Sequence, residues 1–249
     1  MNDSITITIR FYQELSFFIP KYMNGKRVEK PFPKDCSVKH AIETFGVPHT
    51  EVDLILVNEK PVTFDYNLQN GDDVSVYPVF ESFDISETSR LQQSPLRNTK
   101  FIADVHLKKL TTYLRLCGFD TAYQPDLDDA EIADKAYNEN RIILTRDRDL
   151  LKRKKVTHGY YIKSQNPARQ LKDVINRFQL KKSIKPFTRC STCNGKVVSV
   201  EKQKIINKLP PATREEYSEF YTCSNCGKVY WMGAHYKNLI QIIHTAQEA

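Results

Sequence analysis

The stretch IILTRDRDL, residues 142–150, runs four residues suited to a buried strand straight into two acids, Asp147 and Asp149. On extended backbone, residues i and i+2 point the same way. If the strand continues, both carboxylates share one small volume, where like charges repel and a cation relieves them. The competing reading is local: Asp is a favoured N-cap, so Asp149 would cap a helix opening with Leu150 and Leu151. Nine residues leave the two readings balanced, and the neighbouring sequence has to separate them.

Around this stretch the pattern alternates. KFIADV (100–105) suits a buried strand, and Leu107, Leu110, Leu114 and Cys117 then line one helical face that stops at Gly118. FDTAYQ (119–124) is a second strand, DAEIADKAYNEN (129–140) a helix starting from an Asp cap, RIILT (141–145) a third strand and GYYIKS (159–164) a fourth. NPARQLKDVINRF (166–178) places Leu171, Val174, Ile175 and Phe178 on one stripe. Strands alternating with helices at this interval imply βαβ units and a mostly parallel sheet, an α/β fold whose ligands bind at the carboxyl ends of its strands. Asp104 stands at such an end and Asp129 opens the second helix, so acids arrive from three separate connections. The basic run Lys152, Arg153, Lys154, Lys155 follows them. Carboxylates that hold divalent metal, beside cations that draw in a phosphodiester, fit that combination.

Two further regions flank this one. Residues 1–86 open with TITIRF, continue through KRVEKPF and SVKHAIETFGV, and close with DLILVNEKPV and DDVSVYPVF. Two strands, a helix and two more strands make a small α+β unit that resembles the β-grasp, ubiquitin-like fold and, within it, the sulfur carriers of thiamine and molybdopterin synthesis. Those carriers end in Gly-Gly, whereas this chain runs on as VYPVFESFD, which favours a docking or packing module. Residues 86–99, polar and aperiodic with Pro95, have the composition of a linker. The expected organisation is thus a β-grasp domain at 1–86, a parallel-sheet domain at 97–182 and a third region at 186–249.

That third region carries CSTC (190–193) and CSNC (223–226), separated by 29 residues. Tetrahedral zinc takes four thiolates, and Cys-x2-Cys lets one tight turn supply two of them, so Cys190, Cys193, Cys223 and Cys226 are expected to hold structural zinc in a ribbon. Gly195 and Gly227 suit the knuckle turns, and KLPPATREEY is expected as an extra loop. Cys36 and Cys117 stand alone and are expected to be packed. Phe220, Tyr221, Tyr230 and Trp231 could stack bases, though a small ribbon core claims at least half of them.

The segments FIADVHLKKLTTYLRLCGFDTAY and DDAEIADKAYNENRIILTRDRDLL, with KVYWMGAHY further on, resemble the PIN-like ribonucleases, and among them the family named for the C-terminal domain of the Mut-seven exonucleases. The resemblance covers about residues 98–245, zinc ribbon included. It implies a metal-dependent nuclease in which Asp104, Asp129, Asp147 and Asp149 hold magnesium or manganese. Asp128 competes with Asp129 for its place, and Glu131 more weakly. His235, in GAHY, is a further possible phosphate contact. Lys108 occupies a position where the family usually has Gly.

Composition agrees with a nucleic-acid partner. The net charge of +7 divides unevenly, with 9 Lys or Arg against 14 Asp or Glu in residues 1–90 and 28 against 16 beyond. The basic part points to a polyanion, RNA in this reading, with Lys108, Arg115, Arg146 and Lys152–Lys155 as candidate phosphate contacts. The alternative is an RNA- or ribosome-binding protein without catalysis. A protein or ribonucleoprotein docked by the ubiquitin-like region is a further expected partner. No stretch approaches the roughly 20 apolar residues of a membrane span and the N-terminus lacks a signal pattern, so a cytoplasmic protein without membrane contact is expected.

Overall fold

A computed structural model describes residues 4–78, 99–233 and 240–241. Residues 86–98 of the expected linker, and His235, lie outside the described residues. The first elements are β1 (Ser4–Phe11), β2 (Val28–Pro33), α1 (Val38–Thr44), β3 (Val52–Val57), β4 (Lys60–Pro61) and β5 (Asp73–Pro78). There follow β6 (Lys100–Ala103), α2 (Lys108–Leu116), β7 (Asp120–Ala122), α3 (Asp129–Glu139), β8 (Ile142–Thr145), α4 (Arg148–Lys152), β9 (Gly159–Tyr161) and α5 (Pro167–Arg177). The last are β10 (Val197–Val200), α6 (Lys202–Ile205), α7 (Pro211–Glu216), β11 (Phe220–Cys223) and β12 (Val229–Tyr230). No helix among the described residues is long and apolar enough to cross a membrane.

Packing divides the chain into two units: residues 1–97 with 147–161, and residues 98–146 with 162–249. In the first, β1 to β5 form one sheet in the order β2-β1-β5-β3-β4, with β1 parallel to β5 and antiparallel to β2. This is the expected β-grasp. The alternation in SITITIRF buries Ile5, Ile7, Ile9 and Phe11 on one face, against Val38, Ala41 and Ile42 of α1. Ser37 caps that helix by accepting from the His40 N–H at 3.3 Å. DLILVNEKPV, expected as one strand, is instead a hairpin. Asn58 and Glu59 both take positive φ, 49° and 67°, as a two-residue type I′ turn requires, and a Glu there gives none of the usual Asn-Gly signal.

In the second unit β6 lies between β7 and β8 and runs parallel to both, pairing Phe101 with Thr121 and with Ile142. Ile162, just past β9, donates its N–H to the Thr145 carbonyl at 2.8 Å. Phe101, Ile143 and Leu144 from the strands, Leu110 and Leu114 from α2, and Leu171, Val174 and Ile175 from α5 are fully buried. Gly118 ends α2 because nothing else fits. Its φ is +94°, and a Cβ would lie 2.3 Å from the Lys185 carbonyl oxygen.

The ribbon, β10-β11-β12, is tied to this sheet through Asp120 on β7. The Asp120 carboxylate accepts from Arg141 at 2.7 Å and from the Asn194 amide at 2.8 Å, and pairs with Arg189 at 3.2 Å. The Thr121 N–H returns a bond to the Asn194 side-chain oxygen at 3.1 Å. Burial alone would raise the Asp120 pKa, but the Arg141 hydrogen bond, Asn194 and the charges of Arg141 and Arg189 outweigh it and hold the carboxyl below the usual carboxylate range. A folded pKa below the unfolded one stabilises fully above the unfolded value, about 4, and is lost as pH falls through the folded one. The melting temperature of the unit should therefore drop on acidification below about pH 4, and Asp120→Asn should flatten that drop. Equal slopes in melts of the two proteins between about pH 5 and 2 would remove Asp120 from this role.

Candidate functional site

Parallel pairing of β6 with β8 sets the end of one strand beside the end of the other. The Asp104 N–H donates to the Leu144 carbonyl at 3.0 Å, and the Thr145 hydroxyl donates to Asp104 Oδ2 at 2.7 Å. Asp104 is 7 % exposed and Thr145 completely buried. The other carboxylate oxygen accepts from the His106 N–H at 3.3 Å, capping the short 3-10 turn Val105–Leu107 that leads into α2. Asp104 thus stands at the carboxyl end of β6, held by a hydroxyl and an amide. Nothing in the sequence assigns Thr145 a role. A buried Thr closing a strand is a weak signal, and only the strand order makes it Asp104's partner.

The other acids arise from helix starts. Asp128 is the N-cap of α3, in a capping box: its side chain accepts from the Glu131 N–H at 2.9 Å and the Glu131 carboxylate from the Asp128 N–H at 2.9 Å. Both competitors of Asp129 are thus used in the cap, and Asp129 occupies the first turn, half-buried. The reading of Asp147 and Asp149 as alternating strand residues is corrected. β8 ends at Thr145, and Asp147, rather than Asp149, is the N-cap of α4, accepting from the Asp149 N–H at 2.7 Å. Asp149 sits in the first helical turn, its side chain 86 % exposed and 3.0 Å from Lys152 Nζ. The two-residue spacing reflects a cap bond rather than a shared strand face.

Among the expected phosphate contacts, Lys108, Arg153, Lys154 and Lys155 are exposed, while Arg146 and Lys152 are half-buried. Arg115 is a correction. It is 5 % exposed, and its guanidinium donates to the carbonyls of Thr121 at 2.9 Å, Ser191 at 3.3 Å and Thr192 at 2.8 Å. A charge this deep cannot meet a phosphate backbone. It fastens α2 to the first cysteine knuckle instead.

The four cysteines do converge. Among the described residues they form a group whose sulfurs all lie within 4.8 Å of one another. Cys190 Sγ is 3.6 Å from Cys226 Sγ and Cys193 Sγ is 3.4 Å from Cys223 Sγ. Zn–S bonds of about 2.3 Å in a tetrahedron set sulfurs about 3.8 Å apart, so the set fits structural zinc. The two knuckles share one bond pattern. The Cys190 N–H donates to the Gly195 carbonyl and the Asn194 N–H to the Cys190 carbonyl, at 2.8 and 3.0 Å; the Cys223 N–H donates to Lys228 and the Gly227 N–H to Cys223, at 2.9 and 3.0 Å. The left-handed residue of the first knuckle is Asn194 (φ 67°), not the expected Gly195, and its equivalent is Gly227 (φ 70°). Gly195 is required by space, since a Cβ there would lie 2.9 Å from Cys223 Sγ.

Tyr230, expected as a stacking or core residue, instead sets its hydroxyl 3.0 Å from Cys190 Sγ and accepts from the Ser191 N–H at 3.1 Å. Burial would raise the Cys190 pKa, but the Tyr230 hydroxyl and the amides of Cys193 and Thr192 prevail and bring it to about 6. The thiolate a metal needs is therefore favoured before any metal arrives. Phe220 is 1 % exposed and forms a small core with Ile205 and Leu209, against which Tyr217 and Trp231 pack. That core is why KLPPATREEY is not a loop: α6, the turn Ile206–Lys208 and α7 deliver Ile205 and Leu209 to it. Cys36 and Cys117 are buried as expected.

Comparison with known families matches residues 99–243 to the Mut7-C RNAse domain and residues 4–84 to the Mut7-C ubiquitin domain. Neither curated proteins nor solved structures give a match.

Proposed function

Starting from a chain that belongs to the Mut7-C RNase family, with the ubiquitin-like domain ahead of the RNase domain and a four-cysteine ribbon inside it, we propose a divalent-metal-dependent ribonuclease that hydrolyses RNA phosphodiester bonds. The observation that carries the reading is Asp104, a carboxylate buried at the carboxyl end of β6 whose partners, Thr145 and an amide, are neutral. Burying a charge is costly without a compensating cation, and ligands of open α/β sheets bind at this edge. In this reading Asp104, Asp129, Asp147 and Asp149 hold one or two magnesium or manganese ions. Bound there, a divalent ion would supply a more acidic attacking water and charge stabilisation at the leaving oxygen. Lys108, Arg146 and Lys152–Lys155 attract the phosphates. The domains proposed are 1–86, 97–182 and 186–249, in a cytoplasmic protein whose thiols stay reduced for zinc.

A binding protein without catalysis is the second reading, favoured by the fact that Asp104, Asp128 and Asp147 each cap a helical turn. Incubating the purified chain with end-labelled single-stranded RNA in manganese, magnesium or excess chelator separates the two. Cleavage that requires metal supports the nuclease, and tight binding without cleavage supports the alternative. In either case RNA affinity should fall steeply with salt as phosphate contacts release counterions, by about tenfold or more between 50 and 200 mM. A salt-independent affinity would remove the basic residues from the interface.

A further inference from the structure

We propose that the ubiquitin-like module acts within its own chain as a clamp on the segment that carries Asp147 and Asp149, with Glu51 and His49 as positioning residues. The proposal rests on the ribonuclease reading for what the segment does, and on the first unit alone for how it is held. Residues 147–161 hold a five-residue helix and a three-residue strand, and helices this short do not persist without packing.

Tyr161 packs against the apolar core of the module, which Phe18 and Ile42 help to form. The Arg148 guanidinium lies 5.4, 5.1 and 5.7 Å from the ring centres of Phe17, Phe18 and Tyr161, and donates to the Phe18 carbonyl at 3.2 Å. The Glu51 carboxylate, 7 % exposed, accepts from the Tyr161 N–H at 2.6 Å. His49, 6 % exposed, donates from Nε2 to the Val156 carbonyl at 2.8 Å, while Nδ1 faces Glu43 at 2.7 Å. Glu and His buried this far need partners. Here two of those partners are main-chain groups of a segment more than a hundred residues away in sequence, so each side satisfies the other. The grip falls between the acids: Arg148 turns into the module while Asp147 and Asp149 are exposed. A module free to travel as a carrier would give up the bonds to the Tyr161 N–H and the Val156 carbonyl.

The test uses the full chain with Glu51→Ala, His49→Ala, the conservative Glu51→Gln, and Tyr22→Ser as a control at a position 70 % exposed on the same module. Amide exchange should accelerate about tenfold or more across 147–161 in both alanine variants, and stay unchanged in β6 and β8. In manganese, kcat for RNA should fall on the order of tenfold because the acids are displaced, and KM should rise as well because Lys152–Lys155 lie on the same segment. Glu51→Gln retains an oxygen for the Tyr161 N–H and should restore both readouts, and the control should match the parent. Unchanged exchange across 147–161 overturns the clamp, and faster exchange with unaltered kcat overturns the positioning role. A parent that never cleaves RNA fails the ribonuclease reading instead, and exchange then decides by itself whether the module holds the segment.

Discussion

Asp104→Asn should leave a folded protein whose manganese-dependent RNA cleavage is lower by on the order of a hundredfold or more, about 2.7 kcal/mol of transition-state stabilisation. The change keeps the shape and removes the charge. Asn caps a helix about as well as Asp, so the bond from the His106 N–H survives, and its amide can still meet the Thr145 hydroxyl. Without metal the variant should melt no lower than the parent, because a buried carboxylate with neutral partners is relieved of its charge. The same logic separates the two roles of Asp147. Asp147→Asn retains the bond to the Asp149 N–H and should keep its stability while losing cleavage; Asp147→Ala should lose about 1 kcal/mol of stability as well. Asp149→Asn, with no cap bond to lose, should cost activity alone. Folded Asn variants that cleave at the parental rate, or cleavage that persists in excess chelator, would leave capping as the whole purpose of these acids.

Sequence carries structure wherever the cause is local. Alternation in SITITIRF and the apolar stripe of α5 determine which face is buried, so most strands and helices were legible from the residues, the hairpin after β3 and the helices α6 and α7 being the exceptions. The Cys-x2-Cys pairs were legible for a similar reason, since the spacing is itself the chemistry. What lay beyond reach depends on contacts distant in sequence. Arg115 looked like a surface cation because helix periodicity alone does not show that Ser191 and Thr192 bring carbonyls to it. The cap belongs to Asp147 because β8 stops two residues before it, at a point where IILTRD offers no turn residue. Nothing in the composition of residues 147–161 separates them from the sheet region on either side. The pairing of Glu51 and His49 with their main-chain groups, and the seat of Arg148 against Phe17 and Phe18, show which module they pack on.

Removing zinc should destabilise the second unit well beyond the ribbon. Metal analysis should find about one tightly held zinc per chain, and Cys190→Ser or strong chelation should release it. The first consequence is local: without metal, four clustered sulfurs, some of them favoured as thiolates, repel one another, and a ribbon core of Ile205, Leu209 and Phe220 is too small to hold three strands by itself. The second follows from the joint with the sheet. When the first knuckle loosens, Arg115 keeps the Thr121 carbonyl but loses those of Ser191 and Thr192, and Asp120 loses the Asn194 amide. A buried guanidinium that loses two of its three carbonyl partners costs on the order of 3 kcal/mol, a large part of the stability of a domain this size. Chelation should therefore speed amide exchange in the C-terminal turn of α2 and in β7 together with β10–β12, and the melt of the unit should shift as one transition. Exchange that rises in the ribbon while α2 and β7 stay protected would show the knuckle to be an independent module. A stable, zinc-free chain with four freely reactive thiols would remove the metal altogether.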